Sequence, residues 1–510
     1  LPDWSAVTIR TTAFARAFEM PEGSDRSPVP QLNSLVNNAK VLNIIQGEKP
    51  LSWILDNAND LFNFSKRAMI ETDDRVVDSF SPIFDRLLEA LSLGEEGVEL
   101  NGVAADVVQW INDTVRDATN SSTKLGGILS ILMALAKWAP SRMESAAGGL
   151  MKIYTKLVRE VTPPQGSSLP QDQLSAIMQR IFTILDISRL CVQYFGEHRK
   201  QFLSGLVLLV TGAQSPELRR HLLSMTREWI FGPPVSVPTT KEKASLMQKM
   251  QVWSKFGDAV YKDYLALVYE IYDTPSMART DLTVRLEASF LLGCKAEDMA
   301  TRNRFLNLFN EHIPKQIGPR LAYLLGGQSW DILHDFNWAF IVLDMIFGAI
   351  NGYTPLLTSK SALSTLSTPE IRVSDVLQSI RQLLFYDNQA MHRTFVALFP
   401  EIWSGLSRKE QGDITASMVH ILTKEFHADL PQINIFQTLM ASVHRCDPPM
   451  ALPPHVVKWL AKSYQCWYEG LEFLQVAVEI GREDDAAIRE ANQDALAEVY
   501  AELCEDDYYY

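Results

Sequence analysis

The chain has 510 residues, with 47 Lys and Arg against 61 Asp and Glu, and it carries a formal charge of -14. Hydrophobic residues make up 47% and charged residues 21%, which is too apolar and too weakly charged for an intrinsically disordered chain. The acidic balance argues against a broad surface for nucleic acid or anionic lipid, because such a surface needs clustered Lys and Arg.

The length requires either several domains or a repeat array, because a single core rarely grows beyond about 300 residues. The sequence begins at Leu1 without Met and stops at Tyr510, so we expect a fragment of a longer protein. Five cysteines are too few for a disulfide framework and favour a reducing compartment. The longest apolar runs, Phe202–Val210 and Trp338–Ile350, are too short to cross a bilayer, and no signal peptide is recognisable.

Helical periodicity dominates the chain, because apolar residues recur at intervals of three and four. This spacing predicts helices around Phe80–Leu91, Leu125–Leu135 and Tyr261–Tyr272, and one long helix over Val456–Val478. Stretches with the alternation of a β-strand are nearly absent. We therefore predict roughly twenty helices of about 12 to 22 residues, joined by short loops.

Prolines and capping residues mark the helix boundaries. Pro82 and Pro400 are among the predicted breaks, and Ser141, Ser215 and Thr368 are predicted caps. Phe231–Thr240 is a Pro-rich break before a new helix at Lys241. Residues 352–369 are rich in Ser and Thr and are predicted to form a surface loop.

These features predict an all-α fold, an α-solenoid of HEAT or tetratricopeptide-like helical repeats. The repeat is degenerate and close to 40 residues, which favours HEAT-like pairs. A single large helical bundle is the alternative.

The sequence contains no recognisable catalytic or cofactor motif. Its glycine pairs lack the spacing of a phosphate-binding loop, and there is no Gly-x-Ser-x-Gly elbow. His392-Arg393 and His444-Arg445 begin like a kinase catalytic loop but lack its Asp. We therefore predict no enzyme activity and no catalytic, cofactor-binding or metal site, and we assign no binding residues.

Several residues are candidate ligands by type, but we interpret them as structural. The spacing of His444, Cys446, His455 and Cys466 fits no zinc motif, and His420 and His427 are too far apart on a helix to share a metal. Most tryptophans fall at helical spacing with Leu and Ile and are predicted to pack in the core. These are Trp53, Trp110, Trp138, Trp229, Trp403 and Trp467. The basic clusters Lys152/Lys156/Arg159 and Lys241/Lys243/Lys249 are interpreted as solvated faces that could contact a partner.

A series of short motifs, in order along the second half of the chain, resembles the pseudokinase branch of the phosphatidylinositol-3-kinase-related kinase family. The motifs are Thr239–Lys243, Arg285–Leu291, Arg320–Leu324, Gly327–Trp330, Phe336–Trp338, Leu398–Trp403, Cys446–Pro449, His455–Lys462 and Ala497–Tyr500. They are packing signatures, and their order makes them specific. Upstream of Thr239 the sequence has none of these motifs, but its helical repeats are compatible with the same family.

The resemblance implies that residues 1–430 form the C-terminal HEAT-type repeats and that residues 431–510 begin the tetratricopeptide-like FAT domain. It implies a non-catalytic scaffold in the nucleus that recruits SAGA-type histone acetyltransferase complexes to promoters through transcription activators. The implied partners are activators, other coactivator subunits, and the FAT and kinase-like domains of the same chain. Direct contact with nucleic acid or membrane is not implied.

Two alternatives remain open. The first is the HEAT-FAT segment of an active phosphatidylinositol-3-kinase-related protein kinase, which shares this architecture. The second is a transport-type solenoid similar to the importins, because solenoid folds serve many functions.

Overall fold

The computed structural model describes most of the chain. The described ranges are 29–71, 73–91, 93, 102–118, 124–162, 170–232, 238–326, 337–350, 372–424, 434–480 and 486–504. They form 24 α-helices and contain no extended strand, which confirms the all-α prediction. The chain divides into two compact units, residues 1–267 with 279–282, and residues 268–278 with 283–510.

The first unit is built from eleven helices and the beginning of a twelfth. In chain order they are α1 (Val29–Gly47), α2 (Leu51–Asp56), α3 (Ala58–Ala68), α4 (Asp74–Leu91), α5 (Val103–Ala118), α6 (Leu125–Trp138), α7 (Met143–Val161), α8 (Gln171–Cys191), α9 (Arg199–Gly212), α10 (Pro216–Phe231), α11 (Thr240–Met250) and α12 (Ala259–Asp273). The apolar residues that predicted α4 and α6 form the core, since Phe84, Leu87, Ile128 and Leu132 are all buried.

Helices of the first unit stack in two layers, one containing α4, α6, α8 and α10 and the other α5, α7, α9 and α11. Neighbours within a layer run parallel. Asp85 of α4 accepts hydrogen bonds from Lys137 and Trp138 at the end of α6, while Asp74 lies beside Gly126 at the start of both helices. Lys137 and Trp138 lie 52 and 53 residues after Asp85 in the sequence. In the other layer, the bonded residues Arg199 and Glu242 are 43 residues apart. This spacing is that of a solenoid of paired helices.

The second unit contains the remaining helices. They are α13 (Asp281–Arg285), α14 (Glu287–Cys294), α15 (Met299–His312), α16 (Ile317–Gly326), α17 (Asn337–Phe347), α18 (Val373–Tyr386), α19 (Asn388–Ser404), α20 (Arg408–Leu422), α21 (Ile435–His444), α22 (Pro454–Tyr464), α23 (Trp467–Ile480) and α24 (Ala486–Glu502). Layers of alternate helices recur, with α15, α17, α19, α21 and α23 in one and α16, α20, α22 and α24 in the other. Lys458 and Lys462 of α22 pair with Glu498 and Glu502 of α24, so these two helices also run parallel.

The predicted long helix over Val456–Val478 is wrong, because the chain turns between α22 and α23. Gln465 adopts a left-handed backbone conformation with φ of 59°, which ends α22 and lets α23 pack back against it. The apolar period continues across this short turn because both helices face the same core. Periodicity alone therefore could not reveal the break.

Several predicted boundaries also differ. Pro82 lies inside α4 and Pro400 inside α19, so neither proline ends a helix. Ser141 does not cap α7, because a 3-10 turn over Pro140–Arg142 precedes that helix. Helix lengths range from 5 to 21 residues, wider than predicted.

Other boundaries are confirmed. Ser215 caps α10, and α11 begins at Thr240 with Thr239 and Glu242 in a capping box. Thr368, the loop at 352–369 and residues 233–237 of the break lie outside the described residues. The division at residue 430 stays a prediction.

An ion pair between buried Asp344 and half-buried Arg381 links α17 to α18. The carboxylate of Asp344, with a side chain 8% exposed, lies 2.9 Å from Nε of Arg381. Arg302 of α15 stacks on the ring of Phe385 at 3.6 Å. Burial raises the pKa of Asp344 to about 6, although Arg381 and Arg302 act to lower it.

This raised pKa predicts a pH-dependent stability. Between pH 4 and pH 6 the folded chain binds a proton at Asp344 that the unfolded chain does not, so the free energy of unfolding falls as the pH rises. Asp344→Asn is therefore expected to be more stable than the parent at pH 7 by about 3 kcal/mol and nearly equal to it near pH 4. Denaturant unfolding of both chains from pH 4 to 8 measures the difference, and a pH-independent gap would contradict this cause.

Candidate interaction surfaces

The four residues considered as metal ligands between His444 and Cys466 differ in their surroundings, and His455 is exposed. Cys446 and Cys466 are buried, and burial raises the pKa of both thiols, to about 12 for Cys446, so neither forms a reactive thiolate near neutral pH. Cys466 lies in the turn before α23, and His444 pairs instead with Glu472 at 3.2 Å. In the ranges given above, no three His, Cys, Asp or Glu side chains lie close enough to share a metal ion.

The tryptophan prediction holds only in part. Trp403 is buried and donates a hydrogen bond to the carbonyl of Pro448 at 2.7 Å, but the other five tryptophans named above are half-buried. The fully buried tryptophans are Trp253 and Trp338. His427 lies outside the described residues, so its relation to His420 is not described.

A basic recess lies between α7 and α9 in one layer of the first unit. Lys152, Lys156 and Arg159 follow each other at intervals of four and three residues, which places them on one face of α7. Nε2 of Gln201 on α9 donates to Oγ1 of Thr155 at 3.1 Å and so fixes the opposite wall. The recess has a volume of about 440 Å³, and Glu160 is its one acidic lining residue among those described.

The three basic side chains of this recess are exposed to solvent and do not pack in the core. Lys152, Lys156 and Arg159 are all exposed, while Ile153, Tyr154, Leu157 and Val158 of the same helix are buried. The helix thus uses one face for the core and presents its basic face to solvent. Such a row attracts carboxylates, and its solvent exposure makes that attraction sensitive to salt.

A second open recess, of about 440 Å³, lies where α19 and α21 meet the turn before α23. Nδ1 of His392 lies 2.8 Å from Oγ1 of Thr438, and the pKa of His392 is lowered by burial and by Arg445 and Arg393. The imidazole is therefore neutral at pH 7. Trp467 and the 82% exposed Tyr468 form the aromatic rim. The described residues that line this recess include no pair of a nucleophile and a base.

Within the described residues, no helix combines the length and apolarity needed to cross a membrane. Among the described residues, two open recesses on the helical layers are the surfaces that could contact a partner. Sequence reasoning identified the row at Lys152 as a possible contact but missed the His392 recess, because its lining comes from segments that are far apart in sequence.

Comparison with known proteins gives consistent matches. The model of the family described as the Tra1 HEAT repeat ring region matches residues 1–370 and 363–446. The chain is 25% identical, over 99% of its length, to the SAGA complex/NuA4 acetyltransferase complex subunit TRA1 of Saccharomyces cerevisiae. It is 23% identical over 100% of its length to the subunit of the same name, Tra1, of Schizosaccharomyces pombe.

A human protein, the transformation/transcription domain-associated protein, is 21% identical over 76% of the chain. The chain spans only 14%, 15% and 13% of these three relatives, in the order given.

Proposed function

Because the chain belongs to the Tra1 HEAT repeat ring family, we propose that it is a non-catalytic scaffold segment of a transcription coactivator subunit. In this proposal it acts in the nucleus and helps to recruit a SAGA-type histone acetyltransferase complex to promoters through activator binding. The observation that carries the proposal is the family match across residues 1–370 and 363–446. The layers of helices in the described part of the chain agree with it.

The proposed mechanism is tethering. The stacked helices hold an activator and an acetyltransferase module at the same time, which raises the effective concentration of the enzyme near its substrate. We assign residues 1–430 to the HEAT-type repeats and 431–510 to the start of a FAT domain. Partners are activators, other subunits of the complex, and the FAT and kinase-like domains of the same chain, without direct contact to nucleic acid or membrane.

Deletion of this segment from the parent protein tests the scaffold. We expect the deletion to release acetyltransferase subunits from the complex or to abolish its recruitment by activators, measured by affinity purification and chromatin occupancy. An intact and normally recruited complex would contradict the proposal. Protein kinase activity of the parent protein, with loss of activity on mutation of its catalytic loop, would favour the active-kinase alternative.

The basic recess supplies a sharper prediction. Reversing its charge with Lys152→Glu, Lys156→Glu and Arg159→Glu is expected to weaken binding of an acidic activator peptide at least about ten-fold at low salt, because three attractions become repulsions. Fluorescence anisotropy with a labelled peptide of alternating acidic and apolar residues measures the affinity. The difference should shrink as salt is raised.

The matched control carries the same charge change elsewhere in the first unit. Lys40, Arg220 and Lys262 are exposed and lie outside the recess, so changing all three to Glu keeps the net charge of the test variant. Equal loss of binding in both variants would show that only net charge matters, and the recess would then not be the contact.

A further inference from the structure

Exposed cations continue beyond the basic recess onto the next two helices of the same layer in the first unit. Six of them lie on α7, α9 and α11, and no described residue forms an ion pair with any of the six. They are Lys152, Lys156, Arg159, Lys200, Lys241 and Lys249. In the other layer, by contrast, Lys137 and Arg189 pair with acids of neighbouring helices. The six charges are therefore not used by the packing of the fold.

Contacts between the three helices show which residues lie at the same height along their axes. A Cβ on Gly205 of α9 would lie 2.4 Å from Cε1 of Tyr154 on α7, which is 51 residues earlier in the sequence. The next helix, α11, is in register with α9 at a separation of 43 residues. Arg199 pairs with Glu242 at 3.2 Å, and the residue that bonds the carbonyl of Val210 at 2.9 Å also comes 43 residues later.

This register brings cations from all three helices together in one transverse row. Lys200 lies within a turn of the height of Lys152 on α7, and Lys241 lies within a turn of the height of Lys200 on α9. Lys249, by the same two separations, lies at the height of Lys156. The basic recess is thus one edge of a wider basic face.

Apolar side chains lie beside this row on the same face. Leu208 of α9 is 54% exposed and lies at the height of Arg159 on α7. Val252, which directly follows α11 in the 3-10 turn, is 37% exposed and lies at the height of Leu208. The face therefore has a basic part toward the starts of the helices and a partly apolar part toward their ends.

The balance of charge on this face is positive in an otherwise acidic chain. Within the described residues, the acids in or directly before these helices that form no ion pair are Glu144, Glu160 and Glu197, against the six cations. The whole chain carries a formal charge of -14. The next helix of the layer, α5, has exposed acids, among them Asp106 and Asp117, so the basic face ends at α7.

These charges and apolar side chains select an acidic protein segment as the occupant. Unpaired cations attract carboxylates. Leu208 and Val252 gain from burial against apolar side chains, which a phosphate backbone lacks. Glu160, between the cations, would also repel phosphate groups. A segment that combines acidic and apolar residues uses both parts of the face.

We propose that the six cations, with Leu208 and Val252, form one continuous docking face for an acidic amphipathic segment of a partner protein, which crosses α7, α9 and α11. Neighbouring helices lie about 8–10 Å apart, so the crossing is about 16–20 Å long, or about five to six residues of an extended chain. The inference rests on the proposed function, because the recess that binds the acidic activator is the α7 edge of this face.

Charge reversal outside the recess tests the continuous face on the full 510-residue chain. The variant K200E/K241E/K249E leaves every lining residue of the recess unchanged. It is expected to bind a labelled peptide of about 20 residues, in which Asp and Glu alternate with Leu and Phe, at least about ten-fold more weakly at low salt. Fluorescence anisotropy measures the affinity.

Leu208→Gln tests the apolar part without a change of net charge. We expect it to weaken binding about three-fold or more, and this loss should persist at high salt, where the loss from charge reversal shrinks. Leu208 is exposed, so the fold does not depend on it. Unchanged binding by Leu208→Gln would overturn the apolar part of the proposal.

The control K40E/R220E/K262E carries the same change of charge at exposed positions outside the face and should bind within about two-fold of the parent chain. Weaker binding by K152E/K156E/R159E alone, with K200E/K241E/K249E equal to the control, would overturn the continuous face and leave the proposed function in place. If neither triple variant differed from the control, the recess contact would fail as well. An oligo-dT strand that binds more tightly than the peptide, and is lost in the same variants, would overturn the proposal in favour of nucleic acid.

Discussion

Truncation of Arg320 to alanine is expected to lower the free energy of unfolding of the second unit by about 4 kcal/mol or more. Arg320 on α16 is fully buried, and within the described residues no carboxylate pairs with it. Its Nε donates to the carbonyl of Pro314 at 2.6 Å, and Nη1 donates to Asn310 at 2.9 Å and to the carbonyl of Met345 at 2.6 Å. The alanine variant would leave these three acceptors buried beside a cavity.

Guanidinium denaturation followed by circular dichroism measures the effect. Arg320→Lys keeps a cation but not the planar guanidinium group. We therefore expect it to lower the free energy of unfolding, but by less than Arg320→Ala does. Arg393→Ala on the exposed face of α19 is the control and should change stability by no more than about 0.5 kcal/mol. Equal stability of Arg320→Ala and Arg393→Ala would show that the buried bonds do not hold α15, α16 and α17 together.

Replacement of Gly127 by alanine is expected to destabilise the first unit by about 3 kcal/mol or more, because the added methyl group has no space. A Cβ on Gly127 would lie 1.7 Å from the carbonyl oxygen of Met69 and 2.8 Å from its carbon. Both are backbone atoms of a fully buried residue at the end of α3. Relief of the clash requires that α6 move away from the end of α3, which disrupts the packing between these two helices.

The control is the same substitution at an open position. A Cβ on Gly412, in the second turn of α20, would meet nothing within 4 Å, so Gly412→Ala should stabilise the chain by about 0.5–1 kcal/mol. Thermal unfolding of the two variants should therefore shift in opposite directions. A Gly127→Ala chain that melts with the parent would contradict the close approach.

Much of the fold could be predicted from the sequence because burial follows the helical period. The apolar residues from Leu125 to Leu135 predicted α6, and Thr239 with Glu242 predicted the start of α11. Both signals depend only on residues that are close in sequence. The turn at Gln465 could not be predicted. This residue adopts the left-handed backbone conformation without being a glycine, and the spacing of apolar residues does not change there.

The interaction surfaces were harder to predict, for a different physical reason. The row from Lys152 to Arg159 lies on one helix, so its spacing is visible in the sequence. The recess at His392 joins α19 to Gln465, 73 residues further along the chain, and only tertiary packing brings its lining together. Gly127 likewise appears as an ordinary member of a glycine pair until Met69 is placed against it.

The parallel stacking of next-but-one helices has a consequence for synthesis on the ribosome. The bonded partners are 40 residues apart between Lys458 and Glu498, and 53 apart between Asp85 and Trp138. At about 5–20 residues per second, such a partner emerges within roughly 2–11 seconds. Each helix therefore exposes its apolar face to solvent only briefly, and layers of this kind can be completed in order, from the N-terminus, before translation of the chain ends.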